Sequence, residues 1–252
     1  MHEVHVRQLA LDLIAIGIAR RDVCRILDVG YNSTYRWEQR LQPSHKASRI
    51  RCFRCDADPP TEPSAYLYLL GQYLGDGHIR PSGRSICLSI TCCSDYPGIE
   101  AAVVTAMQKT TAARVFFRGR DGIGCRNVEA TTHHWLHLFP QHGKGRKHER
   151  AIVLQPWQVE LVDADPRPLI RGLIHSDGWR GTNWTTRTVG GTTKKYTYPR
   201  YQFSNRSADI RGIFTGALDR LGIAWRQSNQ WTISVARREA VAALDAFVGP
   251  KT

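Results

Sequence analysis

Apolar residues take helical spacing from the start of the chain: Val6, Leu9, Leu13 and Ile16 recur every three or four positions and predict a first helix. Residues 20 to 27 continue as a short second helix. Asp28-Val29-Gly30 reads as a turn with the glycine at its break. Asn32 or Ser33 can then cap a third helix running to about Leu41, with Tyr35 and Leu41 packed inward. Further on the period changes to two. In "SICLSIT", Ser85, Cys87, Ser89 and Thr91 alternate with Ile86, Leu88 and Ile90, which predicts a half-buried strand. A helix over 98 to 109, strands over 115 to 118 and 125 to 131, and a short helix over 134 to 139 follow. Near the end, Tyr198, Arg200, Gln202 and Ser204 alternate with Tyr201 and Phe203. A helix over 209 to 221, a strand over 231 to 235 and a helix over 237 to 247 complete the chain.

Two stretches match each other: "LLGQYLGDG" at 69 to 77 and "IRGLIHSDG" at 170 to 178. Both read apolar-x-Gly-x-x-x-x-Asp-Gly, about one hundred residues apart, which suits two tandem copies of one small domain. The elements that follow also match, so each half reads helix, two strands, helix, two strands, helix. Gly71 with Gly75, and Gly172 with Ser176, leave one face of each motif helix without bulk, and two backbones can meet there. Gly77 and Gly178 are placed to end their helices in a left-handed conformation. Asp76 and Asp177 then lie at the negative pole of a helix dipole, an unfavourable position taken twice, which points to a functional site.

These motifs, their spacing and this element order resemble the single-chain LAGLIDADG homing endonucleases over roughly residues 64 to 249. The resemblance implies an α+β fold: two pseudo-symmetric αββαββα repeats whose motif helices pack at a pseudo-twofold axis and whose sheets form a DNA-binding saddle. It also implies that Asp76 and Asp177 are the catalytic acids. The metal set is Asp76, Asp177, Gly75 and Ser176, with Mg²⁺ or Mn²⁺ as the cation. Gln72, Arg171 and His175 depart from the family's usual small, apolar or acidic residues. They put cleavage in question, because related DNA-binding transcriptional regulators keep this fold without cutting.

Charge narrows the partner. Lysine and arginine number 35 against 22 acidic residues, a net +13 that favours a polyanion, nucleic acid ahead of an anionic membrane surface. The longest apolar run, from Leu9 to Ala19, is broken by Asp12 and is too short to span a bilayer, so a cytoplasmic bacterial protein is expected, monomeric with internal symmetry. Seven cysteines argue against a disulfide framework. Pro43, Pro59, Pro60 and Pro63 mark a linker holding Cys52 and Cys55. That C-x-x-C either binds Zn²⁺ with ligands from elsewhere, His45 or Cys92 with Cys93, or is a pair of reduced thiols. The expected domains are thus 1 to 43, a linker over 44 to 63, and repeats over 64 to 165 and 166 to 252.

The first domain reads as a helix-turn-helix presenting Asn32, Ser33, Thr34 and Arg36 to DNA, with a plain three-helix packing module as the alternative. If the apolar strand faces turn toward the helices, the opposite faces offer Ser85, Ser89, Thr91, Arg118 and Arg120 in one half. The other half offers Tyr198, Arg200, Gln202, Ser204 and Thr232. Residues 181 to 196 read as a polar hairpin finger carrying Arg187, Lys194 and Lys195. The basic run over 142 to 150, with Lys144, Arg146 and Lys147, is either a phosphate contact or a solvated loop. The expected function is metal-dependent cleavage of a specific double-stranded DNA site, with a non-cutting regulator second and an RNA-binding or splicing role third.

Overall fold

In the computed structural model the described residues are 4–41, 60, 62–83, 85–119 and 124–251. The chain divides into two compact units, Met1–Asp56 and Ala57–Thr252.

The first unit is three helices, α1 (Val4–Ala15), α2 (Arg20–Ile26) and α3 (Tyr31–Leu41), each packed on the other two. Ala10, Leu11, Val23 and Val29 form its small core. The turn between α2 and α3 departs from expectation. Asp28, at φ 49°, is its left-handed residue and Gly30 is not; aspartate tolerates that region because its short polar side chain bonds locally. The carbonyl of Gly30 accepts from the amides of Ser33 and Thr34 at 2.9 and 3.1 Å. Asn32 and Ser33 therefore lie inside the first turn and cap nothing. Tyr35 is 49% exposed rather than inward, lying against the Arg20 guanidinium beside Tyr31.

The second unit runs α4 (Pro63–Asp76), β1 (Gly77–Ser82), β2 (Ser85–Cys93), α5 (Pro97–Thr111), β3 (Val115–Gly119), β4 (Cys125–Thr131) and α6 (Trp135–Leu138). A connection containing α7 (Pro156–Ala164) leads to the second copy. That copy is α8 (Arg167–Asp177), β5 (Gly178–Val189), β6 (Thr192–Ser204), α9 (Ala208–Arg220), β7 (Arg226–Asn229), β8 (Thr232–Val235) and α10 (Arg238–Asp245). The sheets have the same order, β1-β2-β4-β3 and β5-β6-β8-β7, antiparallel throughout. Register repeats as well: Gly77 faces Ile90 as Gly178 faces Phe203, and Thr91 faces Asn127 as Ser204 faces Thr232. The fold is thus α+β with two pseudo-symmetric αββαββ units, each closed by a further helix.

The apolar strand faces, with Leu88, Ile90, Val128, Tyr201, Phe203 and Ile233, join Leu69, Leu70, Leu173 and Ile174 of the motif helices in one core. α4 and α8 meet backbone to backbone. A Cβ at Gly71 would come within 2.6 Å of the Leu169 carbonyl oxygen and 2.7 Å of the Leu173 amide, and one at Gly172 would strike Tyr68. Gly77 and Gly178 are extended, not left-handed, at φ −95° and −97°. Their glycines answer a space requirement, since a Cβ would lie 2.5 Å from the Tyr73 Cα or 2.6 Å from the Ile174 Cα. The chain therefore passes straight from each motif aspartate into the first strand. In the second repeat that strand and β6 form the hairpin finger, paired from Gly178–Phe203 to Val189–Thr192. Gly190 and Gly191, both at positive φ, make the two-residue turn that such a hairpin prefers.

Candidate active site and nucleic-acid interface

Because α4 and α8 touch, their last residues share one place. A Cβ on Gly75 would collide with Ser176 and stand 3.1 Å from Asp177 Oδ2, so Asp177 lies against the turn that carries Asp76. Two carboxylates at two helix C-termini would repel each other and both dipoles. The structure answers with two lysines. Lys147 Nζ donates to the carbonyls of Tyr73, Leu74 (3.1 Å) and Gly75 (2.8 Å), ending α4. Lys251 Nζ donates to Gly178 O at 2.6 Å and Ser176 O at 3.3 Å, ending α8. Each repeat therefore brings one acid and one cation to the same spot.

The electrostatics follow from crowding. Asp76 reaches solvent, yet the protein packed around it, and then the Asp177 charge, push its carboxyl up to about 6, against the pull of both lysines. Asp177, half-buried, is raised by desolvation, while a 2.7 Å hydrogen bond from Asn205 Nδ2 to Oδ2 and the two lysines draw it back. Desolvation lowers Lys147 to about 8 and lowers Lys251, both acids opposing the shift. In equal register to Asn205, the first repeat has Cys92, a buried thiol turned to the Ile90 carbonyl. Among the described residues no side chain hydrogen-bonds to Asp76, so the two acids are held differently.

Lys147 was expected in a basic run that either contacts DNA phosphate or is a solvated loop. It is instead half-buried against α4, its ammonium on the Tyr73 ring and on the helix carbonyls, where the negative end of the helix dipole offsets part of the cost of taking the cation out of water. Lys144 and Arg146 of the same run are exposed. Lys251 and Asn205 were not singled out in the sequence. Gly75 and Ser176 were expected toward a metal, and their carbonyls are engaged by the two lysines.

The residues that depart from the motif join the two helices. Tyr68 Oη lies 3.0 Å from His175 Nδ1 and accepts from Gln72 Nε2 at 3.0 Å, while His175 Nε2 meets Val248 O at 2.9 Å. Burial lowers His175 to about 4, so it is neutral, accepting from the tyrosine and donating to the carbonyl. Arg171 donates to the same carbonyl at 3.2 Å and lies over the Tyr68 ring.

The outer faces of the sheets are less open than alternation suggests. Thr91, exposed, donates to Asn127 at 2.9 Å, and Ser85 is half-buried. Ser89 is fully buried and cannot touch a ligand directly, since it donates to Glu129 at 3.1 Å beneath Arg80, whose Nη2 donates to both Glu129 oxygens. Burial alone would raise Glu129, but Arg80, Ser89 and Arg118 outweigh it and hold the carboxyl down. Arg118 remains 66% exposed. In the second sheet Arg200 is buried as a strut, donating to Ser234 at 2.7 Å and Ser228 at 2.9 Å, and Thr232 is buried against Ser204. Ser204, Arg187, Lys194 and Lys195 are exposed, and Gln202 and Tyr198 are half-buried. Trp179, opposite Gln202, adds an exposed ring that alternation did not single out.

In the first unit Asn32 is exposed and Ser33 half-buried. Thr34, expected to face DNA, is fully buried, donating to the Tyr31 carbonyl at 2.8 Å with its hydroxyl on the Cys24 sulfur. Cys52, Cys55, Arg120 and the Arg36 side chain lie outside the described residues. Among the described residues no helix is long and apolar enough to cross a membrane.

No family model matches the chain, and no curated protein matches it in sequence. Among solved structures it is similar to the LAGLIDADG meganuclease I-AabMI bound to uncleaved DNA, at 12% identity over 72% of this chain and 82% of that one, TM-score 0.47. It is similar to I-DmoI in complex with DNA and Mn, at 13% identity over 75% and 99%, TM-score 0.48. It is also similar to the N-terminal LAGLIDADG domain of DUF199/WhiA, at 9% identity over 78% and 88%, TM-score 0.44.

Proposed function

We propose that the second unit binds double-stranded DNA and hydrolyses it at a divalent-metal site formed by Asp76 and Asp177. The observation that carries this is the meeting of two carboxylates at the touching ends of two pseudo-symmetric helices, each end also holding a lysine. A merely structural junction has no need of four charges at one point.

The donor set fits Mg²⁺ or Mn²⁺. Among the described residues no cluster of three or more His, Cys, Asp or Glu side chains forms a metal cage. Mg²⁺ characteristically takes only one or two carboxylates and completes its shell with water and substrate phosphate oxygens. Bound there, the cation supplies an activated water and charge stabilisation for the leaving oxygen. Asn205 fixes the Asp177 carboxylate, and Lys147 and Lys251 keep the mutual repulsion of the acids tolerable until the cation arrives. Arg118, Thr91, Ser204, Arg187, Lys194 and Lys195 supply an exposed polar and cationic surface for the duplex. The chain contributes both acids itself, so it works as a monomer, and the first unit adds contacts as a helix-turn-helix. The test is to select bound duplexes from a random pool and incubate the selected ones with Mg²⁺. Specific double-strand breaks support the proposal; duplexes bound tightly and left intact would make the protein a non-cutting regulator.

A further inference from the structure

The first sheet brings two thiols together. Cys93 and Cys125 are direct cross-strand partners where β2 ends and β4 begins. One position further, the Ser94 amide donates to the Gly124 carbonyl at 2.9 Å. Hydrogen-bonded and non-hydrogen-bonded steps alternate along an antiparallel ladder, so the cysteines fall on a non-hydrogen-bonded step, with Cα atoms about 4.5 Å apart and side chains at their closest. The same series of steps joins Thr91 to Asn127 at 2.9 Å and Ser89 to Glu129 at 3.1 Å through their side chains. A disulfide requires Cα atoms roughly 4.4–6.8 Å apart, which this register supplies without moving the backbone.

Other features separate this pair from the other described cysteines of the second unit. Both thiols are free and half-buried, open to a small reagent, whereas Cys87 and Cys92 are buried and Cys92 turns to the opposite face of the sheet. Burial, and then the neighbouring Cys93 sulfur, hold the Cys125 thiol above its usual range. The pair also borders the acid centre, since Asp76 acts electrostatically on Cys125 and Cys93 on Lys251.

We propose that Cys93 and Cys125 form a reversible thiol–disulfide site, oxidised by a small disulfide of the glutathione class. One cysteine thiolate attacks a sulfur of the oxidant, forming a mixed disulfide and expelling one glutathione thiolate. The second cysteine thiolate then attacks the protein sulfur of that mixed disulfide and expels the other. The protein loses two thiol protons and two electrons, and the oxidant becomes two glutathione thiols. The new bond ties the end of β2 to the start of β4 beside Asp76 and closes a loop of about thirty residues, which restricts the unfolded chain. The site needs no DNA and does not rest on the nuclease assignment.

The full chain, treated with oxidised glutathione and digested without reductant, should yield a Cys93–Cys125 linked peptide that dithiothreitol separates. The oxidised protein should melt several degrees higher than the reduced one, and Cys125→Ser should leave Cys93 carrying glutathione. The wild-type peptide map decides the matter even if that variant fails to fold. Separate glutathione adducts on the two residues, or two unreacted thiols in folded protein, would overturn the proposal. A link from either residue to another cysteine would do the same.

Discussion

Asn205, just past the end of β6, donates to Asp177 at 2.7 Å. For Asp76, the same position in the first repeat, the counterpart of Asn205 in register is Cys92, whose thiol turns to the Ile90 carbonyl. The hydrogen bond favours the ionised form of one acid against the burial that raises it, and the other depends on lysines alone. Replacing Asn205 by Ala should raise the Asp177 carboxyl further, because the hydrogen bond that lowers it is gone. The acidic limb of the pH–cleavage profile should move to higher pH. An unchanged limb would show that Asn205 does not tune Asp177.

Lys147 ends α4 on three carbonyls. Lys147→Met keeps much of the stem and removes the cation, and should destabilise the second unit by about 1–2 kcal/mol, as expected for a partly buried cation at a helix C-terminus. Urea unfolding would show the loss. Stability equal to the parent would mean that the lysine serves only the chemistry.

The pH dependence of stability has a definite sign. The Asp76 carboxyl stands at about 6 when folded, above its ordinary value, so the folded protein holds that proton more tightly than the unfolded chain. The resulting stability is present below about pH 4 and is lost as pH rises through about 6. Without metal, Asp76→Asn should therefore melt a few degrees above the parent at pH 7 and close to it at pH 4. A variant that melts lower at pH 7 would contradict the crowding described for this site.

Much of this was legible because backbone contact allows few residues. Gly71 and Gly172 appear in both motifs since any side chain there would separate α4 from α8, and the aspartates recur since each ends the same helix. Other parts left no local trace. β1 and β7 are edge strands, the first carrying Pro81 and the second entirely exposed, so neither shows an apolar period. Ser89 and Arg200 lie on the outward side by alternation, but alternation does not tell that Glu129 or two serines would cover or occupy them. Lys251 and Lys147 act on helices far from them in the sequence, a relation that only the folded chain reveals.

DNA affinity should fall steeply with salt, because exposed cations such as Arg118, Arg187 and Lys194 would release condensed counterions. Removing residues 1 to 43 should shorten the footprint and weaken specific binding while the second unit, with its own core, stays folded. An unshortened footprint would leave the three helices as a packing module.

The central claim is that Asp76 and Asp177 hold one shared metal-dependent centre. Its most direct measurement is cleavage of a selected duplex with Mg²⁺ by the parent, Asp76→Asn and Asp177→Asn proteins, with metal-free binding measured alongside. Asparagine keeps the shape and removes the charge that the cation needs, so the account predicts that each substitution abolishes double-strand cutting. Binding without metal should be kept or tightened, since a negative charge facing phosphate is lost. The account is contradicted if the parent leaves its best-bound duplex intact with both Mg²⁺ and Mn²⁺, or if either variant still cuts both strands at the parent's rate.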